Sequence, residues 1–279
     1  MLDGMVTMQD AAHGLRENYE RDGYAFPIRV MSTEQAANYR SQLEAVEAQC
    51  IGDEEKSKAI RTLANLVLPF VDEITKNDSI TKPVSELIGE DLLVFGVSLF
   101  AKDARSTSYV SWHQDLHYWG LDNDEEVTAW LALSPATVES GCMRFVPGSH
   151  HTILEHSDTF HEDNLLTRGQ EIAVEVDEKH AVDAVLQPGE MSLHHGRLLH
   201  ASNPNSSNDR RIGLAIRYIT TKQKQAVGGG TITMLARGRD AYGNFKLGTA
   251  PQEVMGDSEM ALWRRATGAK EQILYRETT

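Results

Sequence analysis

The chain has 279 residues, 41% hydrophobic and 24% charged, enough apolar material for one large domain with a real core. Its formal net charge of −14 argues against nucleic acid or an anionic membrane as a partner. Cys50 and Cys142 are its two cysteines, far apart in the chain, so neither a disulfide framework nor a thiolate zinc site is expected.

The opening stretch MLDGMVTMQDAAHGL has neither a basic start nor a continuous apolar core, so no secretory signal is expected. No apolar run approaches the roughly 20 residues of a membrane span, and the expected setting is reducing and cytoplasmic. The first ninety residues read as helical. Ser32 with Gln35 has the form of a capping box, and Ala36, Tyr39, Leu43 and Val46 follow at helical spacing. A second apolar-periodic stretch covers residues 58–75, and a third runs from Ile80 to Ile88 before Gly89. From Leu92 the character changes. DLLVFGVSLFA, VTAWLALS, CMRFVPGS, EIAVEVD, AVDAVLQPGEMSLHH and RIGLAIRYIT are short β-type runs broken by Gly, Pro, Asn and Asp. So many short strands predict a sandwich or barrel. Residues 152–170 are polar and irregular, and read as a long loop suited to a lid. Gly228–Gly230 reads as a turn, residues 236–245 are left unplaced, and SEMALWRRATGAKEQILY returns to helix. The expected organisation is one domain over 1–279, with helices to about 90, the β core over about 91–225 and an extension over 226–279.

Three His-x-Asp triplets occur: His113/Asp115, His156/Asp158 and His161/Asp163. On a strand such a pair projects from one face and can share a metal ion. The second and third triplets fall in the polar loop and read as solvated. The first follows SYVSW, a strand-like approach. A non-haem iron site of the two-histidine, one-carboxylate type needs a third ligand from another strand, and His200, ending an apolar run, is the candidate. In the strand beyond it, Arg211, Gly213, Ala215 and Arg217 share one face. That face makes a poor core and a good floor for an anion-binding cavity, because arginine offers a carboxylate a two-pronged fork. An edge strand with surface arginines is the alternative. His150 is expected to fix a turn, His194 and His195 to have structural duties on opposite faces, and Trp112, Tyr118 and Trp119 to belong to the core.

In order along the chain, HQDLHYW, AWLAL, GCMRFVPGSH, PGEMSLHHGRLLHAS and RRIGLAIRY resemble the motifs of the phytanoyl-CoA dioxygenase family over residues 15–225. The resemblance implies a mainly β fold, a double-stranded β-helix (jelly-roll, cupin-like) core with flanking helices. It implies Fe(II), 2-oxoglutarate and O2 as cofactor and cosubstrates, with His113, Asp115 and His200 as iron ligands. Arg211 matches the arginine that grips the far carboxylate of 2-oxoglutarate, and Ser202 and Trp130 match positions lining the cosubstrate pocket. Asp115 is intact where related halogenases carry Ala or Gly, which argues against halogenation. The implied reaction is hydroxylation of an unactivated C–H bond, with succinate and CO2 released. Desaturation, epimerisation, cyclisation and fatty acyl-CoA hydroxylation are the alternatives within the class. A redox-neutral cupin isomerase or a silent binding protein are those outside it. Arg217 is read either as facing substrate or as meeting acidic residues outside, and a small polar metabolite bearing an acidic group is the expected substrate.

Overall fold

The computed structural model describes residues 8–159, 161, 163–166, 170–173 and 176–274. Helices α1 (Met8–Asp22), α2 (Thr33–Gln49), α3 (Glu54–Arg61), α4 (Pro69–Thr75) and α5 (Asp78–Ile88) precede most of the strands, and α6 (Asp257–Leu274) follows them all. The strands are β1 (Tyr24–Arg29), β2 (Leu92–Lys102), β3 (Val110–His113), β4 (Glu126–Ala132), β5 (Met143–Phe145), β6 (His156–Asp158) and β7 (Gln170–Ile172). They continue with β8 (Val182–Ala184), β9 (Glu190–His194), β10 (His200–Ser202), β11 (Arg211–Thr220), β12 (Ile232–Arg237) and β13 (Lys246–Leu247). The larger sheet runs β1-β9-β4-β11-β2-β12-β13 and the smaller β3-β10-β5-β8. Together they form the jelly-roll core expected from the sequence, with helices against the larger sheet.

The alternation in β11 decides which face does what. Ile212, Leu214 and Ile216 pack with Leu43, Ile74, Ile80 and Trp263 of the helices in the main core. Between the sheets, Trp130, Ala132 and Ala215 meet Met143, Phe145 and Ala184. Arg211, Ala215 and Arg217 line an interior cavity, as the period of two requires. The capping box also forms: the Gln35 N–H donates to Ser32 Oγ at 3.1 Å, and the Ser32 N–H to Gln35 Oε1 at 3.0 Å.

Other expectations need correction. Strand β1 lies inside the stretch read as helical and pairs with β9. Its Pro27 disguises it in sequence, yet β1 is an edge strand, where a missing N–H is tolerated. Residues 58–75 are not one helix. Leu63 takes a left-handed φ of 58° and donates its N–H to Val97 O at 2.7 Å, so the chain leaves α3 to pin itself to β2. Pro69 then starts α4 at a first-turn position, where its missing donor costs nothing. The run 181–195 splits into β8 and β9 around Gly189, whose φ is 84°. In EIAVEVD the strand ends at Ile172, and residues 174 and 175 lie outside the described residues. Beyond residue 225, β12 joins the larger sheet against β2, with Met234 opposite Val94. Helix α6 matches its expectation, although Tyr275 lies outside the described residues. No described helix is long and apolar enough to cross a membrane.

Candidate active site

Strand β3 ends on His113 and β10 begins on His200, and the two are register partners. Their ring centroids are therefore only 4.0 Å apart. Gln114 continues extended and Asp115 opens a short 3-10 turn, so Asp115 returns to the face of His113 although the strand has ended. One ligand atom from each of His113, Asp115 and His200 lies within 4.8 Å of the others, and all three residues are buried. The backbone carbonyls of Ser111 and Leu198 each lie 2.9 Å from the Nδ1 of His113 and His200. A carbonyl only accepts, so in the neutral rings Nδ1 carries the hydrogen and Nε2 offers its lone pair to the centre. Two imidazoles and a carboxylate on one side of an open position are the donor set of a non-haem iron site.

Electrostatics favour that set. Burial alone would raise the Asp115 carboxyl, but Arg217, the His113 contact and His200 outweigh it and hold it far below the usual range. Burial, with His113 and His194 beside it, pushes His200 well below an ordinary imidazole. The carboxylate is thus charged and His200 neutral, the forms that bind metal.

On one side of the triad a narrow inner chamber ends at Arg211, Ser202 and Trp130. Arg211 is 1% exposed, and among the described residues it has no carboxylate partner. Its Nη2 reaches Ser202 Oγ at 3.4 Å, its Nε has no acceptor, and its guanidinium lies 5.2 Å from the Trp130 ring centroid. Burial pushes it down to about 10. A buried cation without a counter-ion is costly, and an incoming dicarboxylate would supply one. Neighbouring Arg210 points outward to Glu47 at 2.9 Å and Asp103 at 2.8 Å.

Trp130 can lie over β11 because residue 213 has no side chain. A Cβ on Gly213 would stand 2.0 Å from Trp130 Cζ2, far inside contact distance. Gly213→Ala should therefore displace the indole, cost about 1–3 kcal/mol by overpacking, and raise the KM for 2-oxoglutarate through loss of the surface beneath Arg211. Thermal melts and cosubstrate titration check both effects.

On the other side, an outer cavity of about 490 Å³ meets the inner chamber at Phe100, His113, Asp115 and Arg217. Arg217 lines both spaces, and the acid it meets is the buried Asp115 and not one on the outside. Its Nε lies 3.6 Å from Asp115 Oδ2, its Nη1 donates to Ser98 Oγ at 2.8 Å, and Trp119 lies beneath it at 5.4 Å. Trp119 and Tyr118 line the outer cavity, and Trp119 also packs in a cluster with Phe95 and Phe245. Trp112 is half-buried and donates to Glu178 Oε1 at 3.1 Å.

The other histidines divide. His156 is not solvated. His156 Nε2 accepts the Gln114 N–H at 2.9 Å, its Nδ1 lies 2.9 Å from Leu154 O, and its ring stacks on His117 at 4.4 Å. Burial, with His117 adding, pushes it down to about 4. The Gln114 side chain donates to Thr152 O at 2.7 Å and accepts from Leu154 N at 2.8 Å, so the 152–156 segment clasps the residue between two members of the triad. His161 is exposed, with its ring near Tyr109, and the Asp163 N–H reaches its Nδ1 at 3.3 Å. Of the loop read as a lid, Leu165 and Leu166 line the outer cavity, while residues 160, 162 and 167–169 lie outside the described residues. His150 ties its turn to Glu20 O at 3.2 Å, as expected.

Sequence reasoning missed four residues. His194 lines the inner chamber and neither ring nitrogen has a hydrogen-bond partner among the described residues, whereas structural duty was expected; Thr128, its register partner, also lines the chamber. Lys102 is fully buried behind Ser202, donating to its Oγ at 2.7 Å and also to Asn203 O; burial and then Arg211 push it down to about 6. Lys270 enters from α6. The one sequence signal was alternation: Lys102 stands opposite Arg211 in the β2–β11 register.

The sequence pattern that defines the phytanoyl-CoA dioxygenase family matches residues 19–213. The chain belongs to that family. Members of the phytanoyl-CoA dioxygenase family are Fe(II)- and 2-oxoglutarate-dependent oxygenases, and this chain is an enzyme of that class. A probable alpha-ketoglutarate-dependent hypophosphite dioxygenase of Stutzerimonas stutzeri is 25% identical over 224 residues, 73% of this chain and 77% of that protein. The solved apo structure of the non-heme monooxygenase ThoJ is 31% identical, with a TM-score of 0.83 over 93% of this chain and 97% of its own. CytC3 with Fe(II) and alpha-ketoglutarate shares the fold at 21% identity, with a TM-score of 0.64 over 86% of this chain and 94% of its own.

Proposed function

We propose that this chain is a single-domain dioxygenase that hydroxylates an unactivated C–H bond of a small polar metabolite. The overall change consumes 2-oxoglutarate and O2 and releases succinate and CO2. One observation carries the reading: the buried His113, Asp115 and His200 line a chamber that ends in an arginine with no carboxylate partner among the described residues, and His113 and Asp115 also line a cavity of small-molecule size. Fe(II) held there supplies oxygen activation, with its electrons drawn from the oxidative decarboxylation of 2-oxoglutarate.

The protein's own part is binding and positioning. The Nε2 atoms of His113 and His200 and the carboxylate of Asp115 would hold the metal. Arg211 grips the far carboxylate of 2-oxoglutarate, and Ser202 helps to hold the guanidinium in place. Trp130 walls the cosubstrate chamber and keeps water from the ion pair, which strengthens it. The outer cavity, which His113 and Asp115 also line, would admit the primary substrate to the metal site. A reducing, cytoplasmic setting belongs to this reading, in which the buried Cys50 and Cys142 stay free thiols.

The test is anaerobic mixing of protein, Fe(II) and 2-oxoglutarate, followed by oxygen and a panel of small metabolites. The reading expects a visible metal-to-ligand charge-transfer band and then substrate-dependent succinate. Absence of the band, with unchanged 2-oxoglutarate after aeration, would sink it.

A further inference from the structure

We propose that the Lys270 ammonium forms an anion subsite in the outer cavity, and that the primary substrate carries a carboxylate or phosphonate-type oxyanion that pairs with it. This deepens the functional reading above and rests on the outer cavity being the substrate chamber.

Helix α6 presents Thr267 and Lys270 to the cavity wall, one turn apart and therefore on one helix face. The amine reaches over β2 at Gly96: a Cβ there would lie 3.9 Å from Lys270 Nζ. Gly96 stands opposite Arg217 in the β2–β11 register, and Arg217 in turn contacts Asp115. An anion on Lys270 would thus be held beside the metal site, close enough to orient a neighbouring C–H bond.

Charge accounting in the cavity supports the assignment. Among the described residues lining it are five cationic side chains, Lys58, Arg61, Arg210, Arg217 and Lys270, and four carboxylates, Glu47, Asp103, Asp115 and Glu271. All four carboxylates are engaged: Glu271 by Lys58, Glu47 and Asp103 by Arg210, and Asp115 by Arg217. Among the described residues that leaves Lys270 and the exposed Arg61 without a carboxylate partner, a local positive excess in a chain of net charge −14. Lys270 is the half-buried one of the two, and burial together with Arg217 outweighs the pull of Asp115 and lowers its amine to about 7. A desolvated cation beside another cation is stabilised by an arriving anion. Two unpaired cations suit one anionic group and not the several phosphate charges of a coenzyme A thioester. The cavity's volume falls in the range of small-molecule sites, about 300–1,000 Å³.

The probes are matched pairs: amino acids and short carboxylic acids with their amides, and alkylphosphonates with their dimethyl esters. Binding to metal-free protein is read by tryptophan fluorescence, since Trp119 lines the cavity, and turnover by succinate release with Fe(II) and 2-oxoglutarate. Charged members should bind at least about tenfold more tightly than their neutral partners and alone stimulate succinate release. Lys270→Met should erase that preference and Lys270→Arg should retain part of it, while the Fe(II)–2-oxoglutarate absorption band persists in both variants. The carboxylate and phosphonate arms separate the two sources of the oxyanion. Equal binding of charged and neutral members, a preference that survives Lys270→Met, or a set of anions without effect would each overturn the proposal. A missing absorption band in the unaltered protein would instead strike the functional reading beneath it.

Discussion

Replacing His113, Asp115 or His200 by alanine should reduce oxygenase turnover by more than about a hundredfold, beyond the 10- to 100-fold that loss of a supporting residue around a metal costs. In the proposed site each residue would supply one of three protein ligands, and no other group of at least three His, Cys, Asp or Glu ligands with this geometry exists among the described residues. The three variants should not behave alike without metal. Asp115→Ala removes the carboxylate that faces Arg217 at 3.6 Å and leaves a buried cation unpaired, so it should also lower the melting temperature of the metal-free protein. His113→Ala removes one of two imidazoles in contact, and should be tolerated better. His161→Ala, at an exposed position, should leave turnover intact. His156→Ala should fall between these, weakening metal affinity without abolishing it, because its ring holds the backbone of Gln114. Iron titration and succinate release separate the cases. An active His113→Ala beside a dead His161→Ala would mean the metal lies elsewhere.

Arg211→Gln should raise the KM for 2-oxoglutarate by roughly 10- to 150-fold, the loss of about 1.5–3 kcal/mol expected for a charge-assisted contact. The substitution should not unfold the protein. Without cosubstrate the guanidinium is a buried charge with no carboxylate to repay its desolvation, so its removal should leave the metal-free melting temperature unchanged or higher. Arg210→Gln should do the opposite. It breaks the bonds to Glu47 and Asp103 that tie α2 and the end of β2 together, yet should leave the KM for 2-oxoglutarate alone. Cosubstrate titration of both variants decides the matter. A KM defect in Arg210→Gln with none in Arg211→Gln would place the strand register one residue off.

These two expectations differ in how far they could be read before folding. Period-two alternation along 211–217 is a local property of an extended chain, so the division between an aliphatic face and an arginine face was legible in the residues. The pairing of His113 with Asp115 was legible for the same reason, although a short helical turn carries the second ligand. Helix α2 with its capping box, and strand β11 with Ile212, Leu214 and Ile216 alternating with Arg211, Gly213, Ala215 and Arg217, were legible because their signals lie within a few residues.

What folding alone decided are relations between distant segments. Whether His156 sits in water or clasps Gln114 depends on a loop returning across 42 positions, and its polar neighbours gave no hint. Pro27 reads as a breaker unless the strand is known to lie at a sheet edge. Lys270, 53 residues beyond Asp115's partner Arg217 along the chain, looks like any helix-surface lysine until α6 packs over Gly96. Local periodicity and ligand types are encoded by near neighbours and determine the fold class and the iron chemistry. Which charges remain unpaired in the finished cavity is a sum over elements far apart in sequence, and only their packing settles it.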